Sequence, residues 1–385
     1  SPLYKVLKDK GSVYGSKNGW ERPLWFAPKG VEPIDQLDFL NPGWHKYVAE
    51  EHRSVREKVA LIDQTSFGKF ELFGKGSLEL LQYLTTCNMD KPIGSVIYSQ
   101  LCNEKGGIEA DLTITRLNLE HFYIVTGSTF GIHDADWIRQ HIPKEKSIFL
   151  IDVSSARAVI NICGPKSREV LQKVSENDLS NISFPFGTAK EIIIGSAKVL
   201  AIRIGYVGEL GWELHIPTEF THHVYKLLSK TGEKYGIKDI VYRAIESLRI
   251  EKGYLYWSSD ITPDYTPLEA GLDFRVHLKS KGDFIGKEAL KKQKINGIKS
   301  KLCTFISEKK LSLFGGETIL LNGKTVSLPT SAGYGFTVNK TIIFGYLDTG
   351  ILDSSDFEIE VFGEQYPIKK VDGPMYDSQN KQLKI

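Results

Sequence analysis

The chain has 385 residues, 41% apolar and 25% charged, and its 49 basic and 47 acidic side chains leave a net charge of +2. That length allows two or three domains and a substantial core. The charges are scattered rather than blocked, which argues against a nucleic-acid surface or a solvating tail and leaves a small molecule or a protein as the expected partner. No apolar run reaches the length of a membrane span. Four widely spaced cysteines without a CxxC pair read as reduced and buried. With no signal or transit pattern at the start, this points to a cytoplasmic protein, or to the mitochondrial matrix in a eukaryote.

Residues 1–42 are rich in Gly, Pro and aromatics without a clear period and read as an extended lead segment lying over a core. The first amphipathic helix spans about 44–58, with Trp44, Val48, Val55 and Val59 on one face and Asn41 as its cap. "ALIDQTSFGKFELFG" reads as strand, turn, strand, and "GSLELLQYLTT" as a short helix. "DLTITRL" and "HFYIVTG" alternate with period two across a short polar turn, a hairpin signal. Then come a helix ("GIHDADWIRQHI"), a strand ("ARAVINICG") and a helix with proline in its first turn ("PKSREVLQKV"). A second set of strands covers 190–217, and helices cover "THHVYKLLSKTGEKYG" and "KDIVYRAIESLRIEKG", the latter stopped by Gly253. The order of elements repeats roughly twice within 43–290, with a break near 150–185. The basic, glycine-dotted stretch 279–301 reads as a domain boundary, and the short β-like runs after it suggest a small antiparallel barrel over 291–385. The fold class expected is α+β followed by an all-β domain.

No dinucleotide, P-loop, HExxH or GxSxG fingerprint occurs, so neither FAD nor another nucleotide is expected in this chain. No metal site is expected either. His222 and His223 are helical neighbours pointing about 100° apart, and "HDAD" at 133–136 reads as a solvated helix face. The loop "IGYVGELGWE" can pass close to a ligand, with Glu209 in its middle, or can be a turn with an exposed glutamate. Glu251 falls on the apolar face of its helix, where a charge needs a partner; Arg249 flanks that face. In "NEKGGIEADL", Asp111 follows two glycines into an apolar strand. It is either a turn residue bonding local N–H groups or a placed acid/base.

Several blocks in order resemble the folate-binding aminomethyltransferase family, the glycine cleavage T-protein and its relatives. "NEKGGIEADLTITRL" resembles the family's N-x-x-G-G-I-x-x-D-L segment, and "RIGYVGELGWEL" its R-x-G-Y-x-G-E-x-G-[FW]-E block. "YRAIESLRIEKGYLYWSSDITPDYTPLEAGL" is similar to its R-x-x-x-x-L-R-x-E-x-G block and the acidic loop that follows. The nearest likeness is to the C-terminal folate half of dimethylglycine and sarcosine dehydrogenases. The lead segment looks like the bridge before that half, which plain T-proteins are expected to lack. The resemblance implies a cloverleaf of two related α+β modules around a central folate channel, with a C-terminal antiparallel β-barrel. It implies Asp111 as the catalytic acid/base and Glu209 as the carboxylate gripping the pterin ring. Tyr98, Thr126 and Tyr206 would line the channel, and Arg249 would serve the pterin end or a carboxylate. Ala110, where T-proteins commonly carry a second aspartate, favours the demethylating flavoenzymes.

The activity implied is passage of a methylene or methyl unit from a small methylated amine-type donor to tetrahydrofolate, with a separate flavin oxidase subunit as partner. A T-protein acting on a lipoyl carrier and a non-catalytic folate-binding or assembly protein are the alternatives.

Overall fold

The computed structural model describes residues 1–385 except Asn18, Leu37, Leu40 and Asn41, so the expected cap Asn41 lies outside the described residues. The lead segment is more structured than its composition suggests. It holds a helix, α1 (Tyr4–Asp9), and an antiparallel hairpin, β1 (Ser12–Lys17) with β2 (Trp20–Phe26). Leu3, Leu7, Val13 and Trp25 are buried in core clusters, so this stretch is part of the domain rather than a cover on it. The helix expected over 44–58 is α2 (His45–Glu57), and Val48 and Val55 are buried on its inner face.

Two sheets follow, and they share a winding order. The first is built from β4 (Gly68–Phe73), β5 (Val96–Cys102), β6 (Ile108–Asn118), β7 (His121–Thr126) and β8 (Phe149–Asp152), in the order β5-β6-β7-β4-β8. Helices α3 (Ser77–Leu84) and α4 (Gly131–Gln140) belong to it. The second runs β10 (Ala189–Ile194), β11 (Ala197–Ile202), β12 (Gly211–Pro217), β9 (Arg157–Cys163), β3 (Ala60–Asp63) and β13 (Lys238–Asp239), with α5 (Ser167–Gln172) and α6 (Thr221–Gly232). The series β4-α3-β5-β6-β7-α4 therefore matches β9-α5-β10-β11-β12-α6 element for element, with one more strand per unit than the sequence pattern suggests. The chain does not divide cleanly near 150–185, because β3 precedes the first sheet yet pairs antiparallel with β9 and parallel with β13.

The helix α7 (Tyr242–Glu251) leads out of the second unit, and α8 (Lys287–Asn296) lies inside the basic stretch expected to be a plain boundary. The C-terminal domain comprises β14 (Ser300–Ser307), β15 (Thr318–Leu321), β16 (Lys324–Ser327), β17 (Pro329–Gly335), β18 (Lys340–Asp348), β19 (Phe357–Val361) and β20 (Glu364–Val371). They form one antiparallel sheet in the order β16-β15-β19-β20-β14-β18-β17. It curls on itself: a Cβ built on Gly345 of β18 would stand 2.8 Å from Ile319 of β15 and 3.2 Å from Ser327 of β16, across the sheet. A final turn, α9 (Lys381–Lys384), buries Leu383 back against the rest of the chain.

Alternation sets which side chains meet the space between these bodies. In β6, Ala110, Leu112 and Ile114 point into the core of the first sheet, which leaves Asp111 and Thr113 on its other face. Trp212, Leu214 and Ile216 of β12 do the same for the second core and leave Glu213 and His215 opposite. The glycine pair ahead of Asp111 serves a protein contact rather than a ligand. Gly106 has φ +86°, and a Cβ on Gly107 would meet the carbonyl oxygen of Pro263 at 2.0 Å. Gly107→Ala should therefore cost about 1–3 kcal/mol of stability by overpacking. Gly282→Ala, in open space, should change it by less than about 0.5 kcal/mol. Urea titrations of the two variants check this.

Candidate functional site

A central cavity of about 1250 Å³ lies where the two sheets, α7, the loop 253–275, the C-terminal domain and the C-terminal tail converge. Of the residues singled out from sequence, Asp111, Tyr98, Thr126 and Tyr206 line it, and Glu209 and Arg249 do not.

Asp111 Oδ2 accepts a hydrogen bond from the Tyr98 hydroxyl at 2.9 Å. The pair is fixed by register: Tyr98 lies opposite Thr113 and Gln100 opposite Asp111, so the two side chains are diagonal neighbours on one face of β5 and β6. Burial raises the pKa of Asp111 to about 6; Tyr98 opposes the rise and the Asp134 carboxylate adds to it. Tyr98 itself is pushed well above its ordinary value, first by burial and then by Asp111, so it remains a donor. Thr126 donates to Asp134, which is 2% exposed rather than part of a solvated helix face. Tyr206 donates to the carbonyl of Leu255 at 2.7 Å and stacks on Tyr254 with 5.8 Å between ring centroids. Among the described residues no group of three His, Cys, Asp or Glu side chains is arranged to hold a metal ion.

Glu209 is turned into the protein. Its Oε1 accepts from Arg56 at 3.0 Å and from Tyr376 at 2.6 Å, and its Oε2 is buried without a hydrogen-bond partner among the described residues. The second hand of Arg56 reaches Glu251 Oε2 at 2.9 Å, so the charge noticed on that helix face is matched by Arg56 rather than by Arg249. Burial would raise the pKa of Glu251, but His52 and Arg56 hold it down at about 2. Arg249 donates to Asp260 (2.9 Å), Glu246 (2.8 Å), Ser331 (2.8 Å) and the Tyr254 carbonyl (3.1 Å), which binds the end of α7 to the loop after it.

A glutamate and an arginine from the same two stretches do line the cavity: Glu213 and Arg243. Glu213, 6% exposed, faces the cavity, and its nearest charged neighbour is His215 Nε2 at 3.6 Å, an imidazole whose pKa burial lowers. Arg243 lines the same space, bonds Asp35 at 2.5 Å and lies over Trp44 at 4.1 Å. Both stand within the quoted blocks, and the alternation of "WELHI" carried the signal for Glu213.

The chain belongs to the glycine cleavage T-protein family. Residues 3–280 match the GCVT N-terminal domain and residues 301–377 the glycine cleavage T-protein C-terminal barrel domain. It is similar to human mitochondrial sarcosine dehydrogenase, 35% identical over 429 residues, an alignment covering 100% of this chain and 47% of the human protein. The chain thus spans about half the length of such relatives. It is also similar to the aminomethyltransferase of Synechocystis sp., 31% identical over 99% of this chain and 97% of that protein. The fold matches the crystal structure of glycine cleavage system aminomethyltransferase T from Bartonella henselae, with a TM-score of 0.85 at 23% identity and 98% coverage of both chains. The lead segment is covered in both aminomethyltransferase comparisons. It therefore does not separate the dehydrogenases from plain T-proteins, contrary to the expectation from sequence.

Arg56 is the cation paired with two buried carboxylates, so Arg56→Met should cost about 3–5 kcal/mol. Ligand affinity in the fraction that stays folded should change little, since Arg56 is outside the cavity wall. Because the pKa of Glu251 is depressed from 4.5 to about 2, its share of stability is present above pH 4.5 and is lost as pH falls toward 2. Thermal melts between pH 3 and 7 should show that acid loss in the wild type and a flatter profile in Arg56→Met.

Proposed function

We propose that this chain is the folate half of a one-carbon transfer system, handing a methylene or methyl unit from a small methylated amine to tetrahydrofolate, with a flavin-dependent oxidase unit as partner. The observation that carries the reading is the pairing of Asp111, with its pKa near 6, and the unmatched carboxylate of Glu213 on the wall of one large cavity. A cavity of about 1250 Å³ exceeds what one small ligand needs and has room for a folate beside a donor. Members of the family bind tetrahydrofolate, whose ring nitrogens supply the acceptor for the one-carbon unit.

Glu213 suits the pterin edge because a carboxylate can accept two adjacent N–H donors at once, and no described residue donates to it within the cavity. Asp111 is mostly ionised at neutral pH yet close enough to its pKa to take up a proton, the condition under which a general base works best. Its negative charge also stabilises positive charge developing on a nearby nitrogen. Tyr98 orients the carboxylate and favours its charged form. The apolar majority of the wall, including Val125, Ile204 and Trp257, keeps water from competing.

A second reading is supported by the near-complete two-way coverage of the Synechocystis aminomethyltransferase: transfer of an aminomethyl group from a lipoyl carrier. Presenting tetrahydrofolate with methylated glycines plus a flavin oxidase, and separately with an aminomethyl-lipoyl carrier, distinguishes the two by which combination turns over.

Asp111→Asn should keep the fold and most of the folate affinity while slowing one-carbon transfer on the order of a hundredfold. The wild-type rate should fall below about pH 6, where Asp111 takes up its proton. Tyr98→Phe removes a bond to the ionised form, so it should move that limb to higher pH. A limb left in place in Asp111→Asn would remove Asp111 from the mechanism.

A further inference from the structure

The buried arginines are matched with one exception. Arg116 donates to Asp90 and the Lys91 carbonyl, Arg203 to the carbonyls of Phe184 and Ile385, and Arg249 to Asp260, Glu246 and Ser331. Arg22 is 7% exposed and, among the described residues, forms no ion pair and no side-chain hydrogen bond; its Nε is buried without a partner. Its guanidinium lies 4.7 Å from the centre of the Tyr242 ring and lines the central cavity.

Four carboxylates of the surrounding segments are engaged elsewhere. Asp63 accepts from the Thr65 N–H at 3.0 Å, Asp35 from Arg243 and Trp25, Glu246 from Arg249, and Glu51 from the N–H groups of Phe26 and Val241. Arg22 is also held rigidly. The hairpin places it opposite Gly15, and Glu51 ties the end of that hairpin (Phe26 N–H, 2.8 Å) to the start of α7 (Val241 N–H, 3.2 Å). Tyr242 opens α7, a ten-residue helix with no acidic side chain in its first turn, and its hydroxyl leads to Ser66 (3.3 Å) and on to Ser128 (2.8 Å). A buried, unmatched cation is costly to keep. One that faces a cavity beside hydroxyls and a helix N-terminus is matched when an anion enters.

We propose that Arg22 is a carboxylate-binding residue of the cavity, holding a ligand carboxylate against the Tyr242 end of α7. The inference rests on the folate-transfer reading, in which two ligands bring that chemistry: the glutamyl tail of the folate and an amino-acid-type donor. Calorimetric titration of the wild type, Arg22→Met and Arg22→Lys with four probes separates the sources. The probes are tetrahydrofolate, 6-methyltetrahydropterin (which lacks the aminobenzoyl-glutamate tail and so every carboxylate), N,N-dimethylglycine and trimethylamine (which lacks the carboxylate).

Loss of a charge-assisted contact should weaken the carboxylate-bearing probe roughly ten- to a hundredfold in Arg22→Met. The probe without the carboxylate should be unchanged, and Arg22→Lys should retain part of the affinity. A selective loss on tetrahydrofolate over 6-methyltetrahydropterin assigns the folate tail; a selective loss on dimethylglycine over trimethylamine assigns the donor. Equal losses on all probes, or no loss on either carboxylate probe, overturn the role of Arg22 while leaving the folate reading in place. Should Arg22→Met not fold, the same comparison is made with Arg22→Lys, where no selectivity between paired probes overturns it. A wild type that binds no tetrahydrofolate overturns both.

Discussion

The structure depends on one guanidinium. Arg56, on α2, holds Glu209 of the glycine-rich loop with one nitrogen and Glu251 at the end of α7 with the other, and it lies 3.8 Å from the centre of the Tyr376 ring. Glu251 in turn accepts from the Thr337 N–H of the C-terminal domain at 2.7 Å, and its own carbonyl accepts from the Tyr376 N–H at 2.9 Å. Five segments distant in sequence are thereby fixed around charges that water does not reach. Removing Arg56 would leave two buried carboxylates without their cation, which is a stronger constraint than apolar packing of the same area.

The consequence for the site is a division of labour among carboxylates. Glu209 and Glu251 face inward and are neutralised by Arg56, so they shape the walls. Asp111 and Glu213 lie on the cavity side of two strands and are left available, one with a single tyrosine donor and the other beside a histidine at 3.6 Å. The same residue type serves structure or chemistry according to which side of the backbone it leaves, and strand alternation decides that.

Much of this was legible in the sequence. The periods of α2, the β6-β7 hairpin and α7 placed α2 within a residue and the others within about four, and the resemblance named Asp111, Tyr98, Thr126 and Tyr206, a group that the fold does bring to one cavity. Glu209 and Arg249 came from the motif alone, which gives residues in order without their direction, and neither lines the cavity. Glu209 and Glu213 are both buried, and only the face opposite Trp212, Leu214 and Ile216 singles out Glu213 as a cavity residue. The lead segment hid its helix and hairpin because its apolar residues are few and widely spaced, and their burial depends on partners more than a hundred residues away. Arg22 left no local signal, since only the absence of a neighbour marks it.

The place of α1 sets a clock on the making of the protein. Leu3 and Leu7 share a buried cluster with Trp212, Val224 and Leu228, and β3 finds its antiparallel neighbour only in β9 and its parallel one in β13. On a chain lengthening at about 5–20 residues per second, α1 therefore waits roughly 10–45 s before its partners exist. During that interval the apolar side of α1 and the edges of β3 stand open to solvent and to other chains. This helix is thus made long before its partners and is among the last of the elements described to find its place.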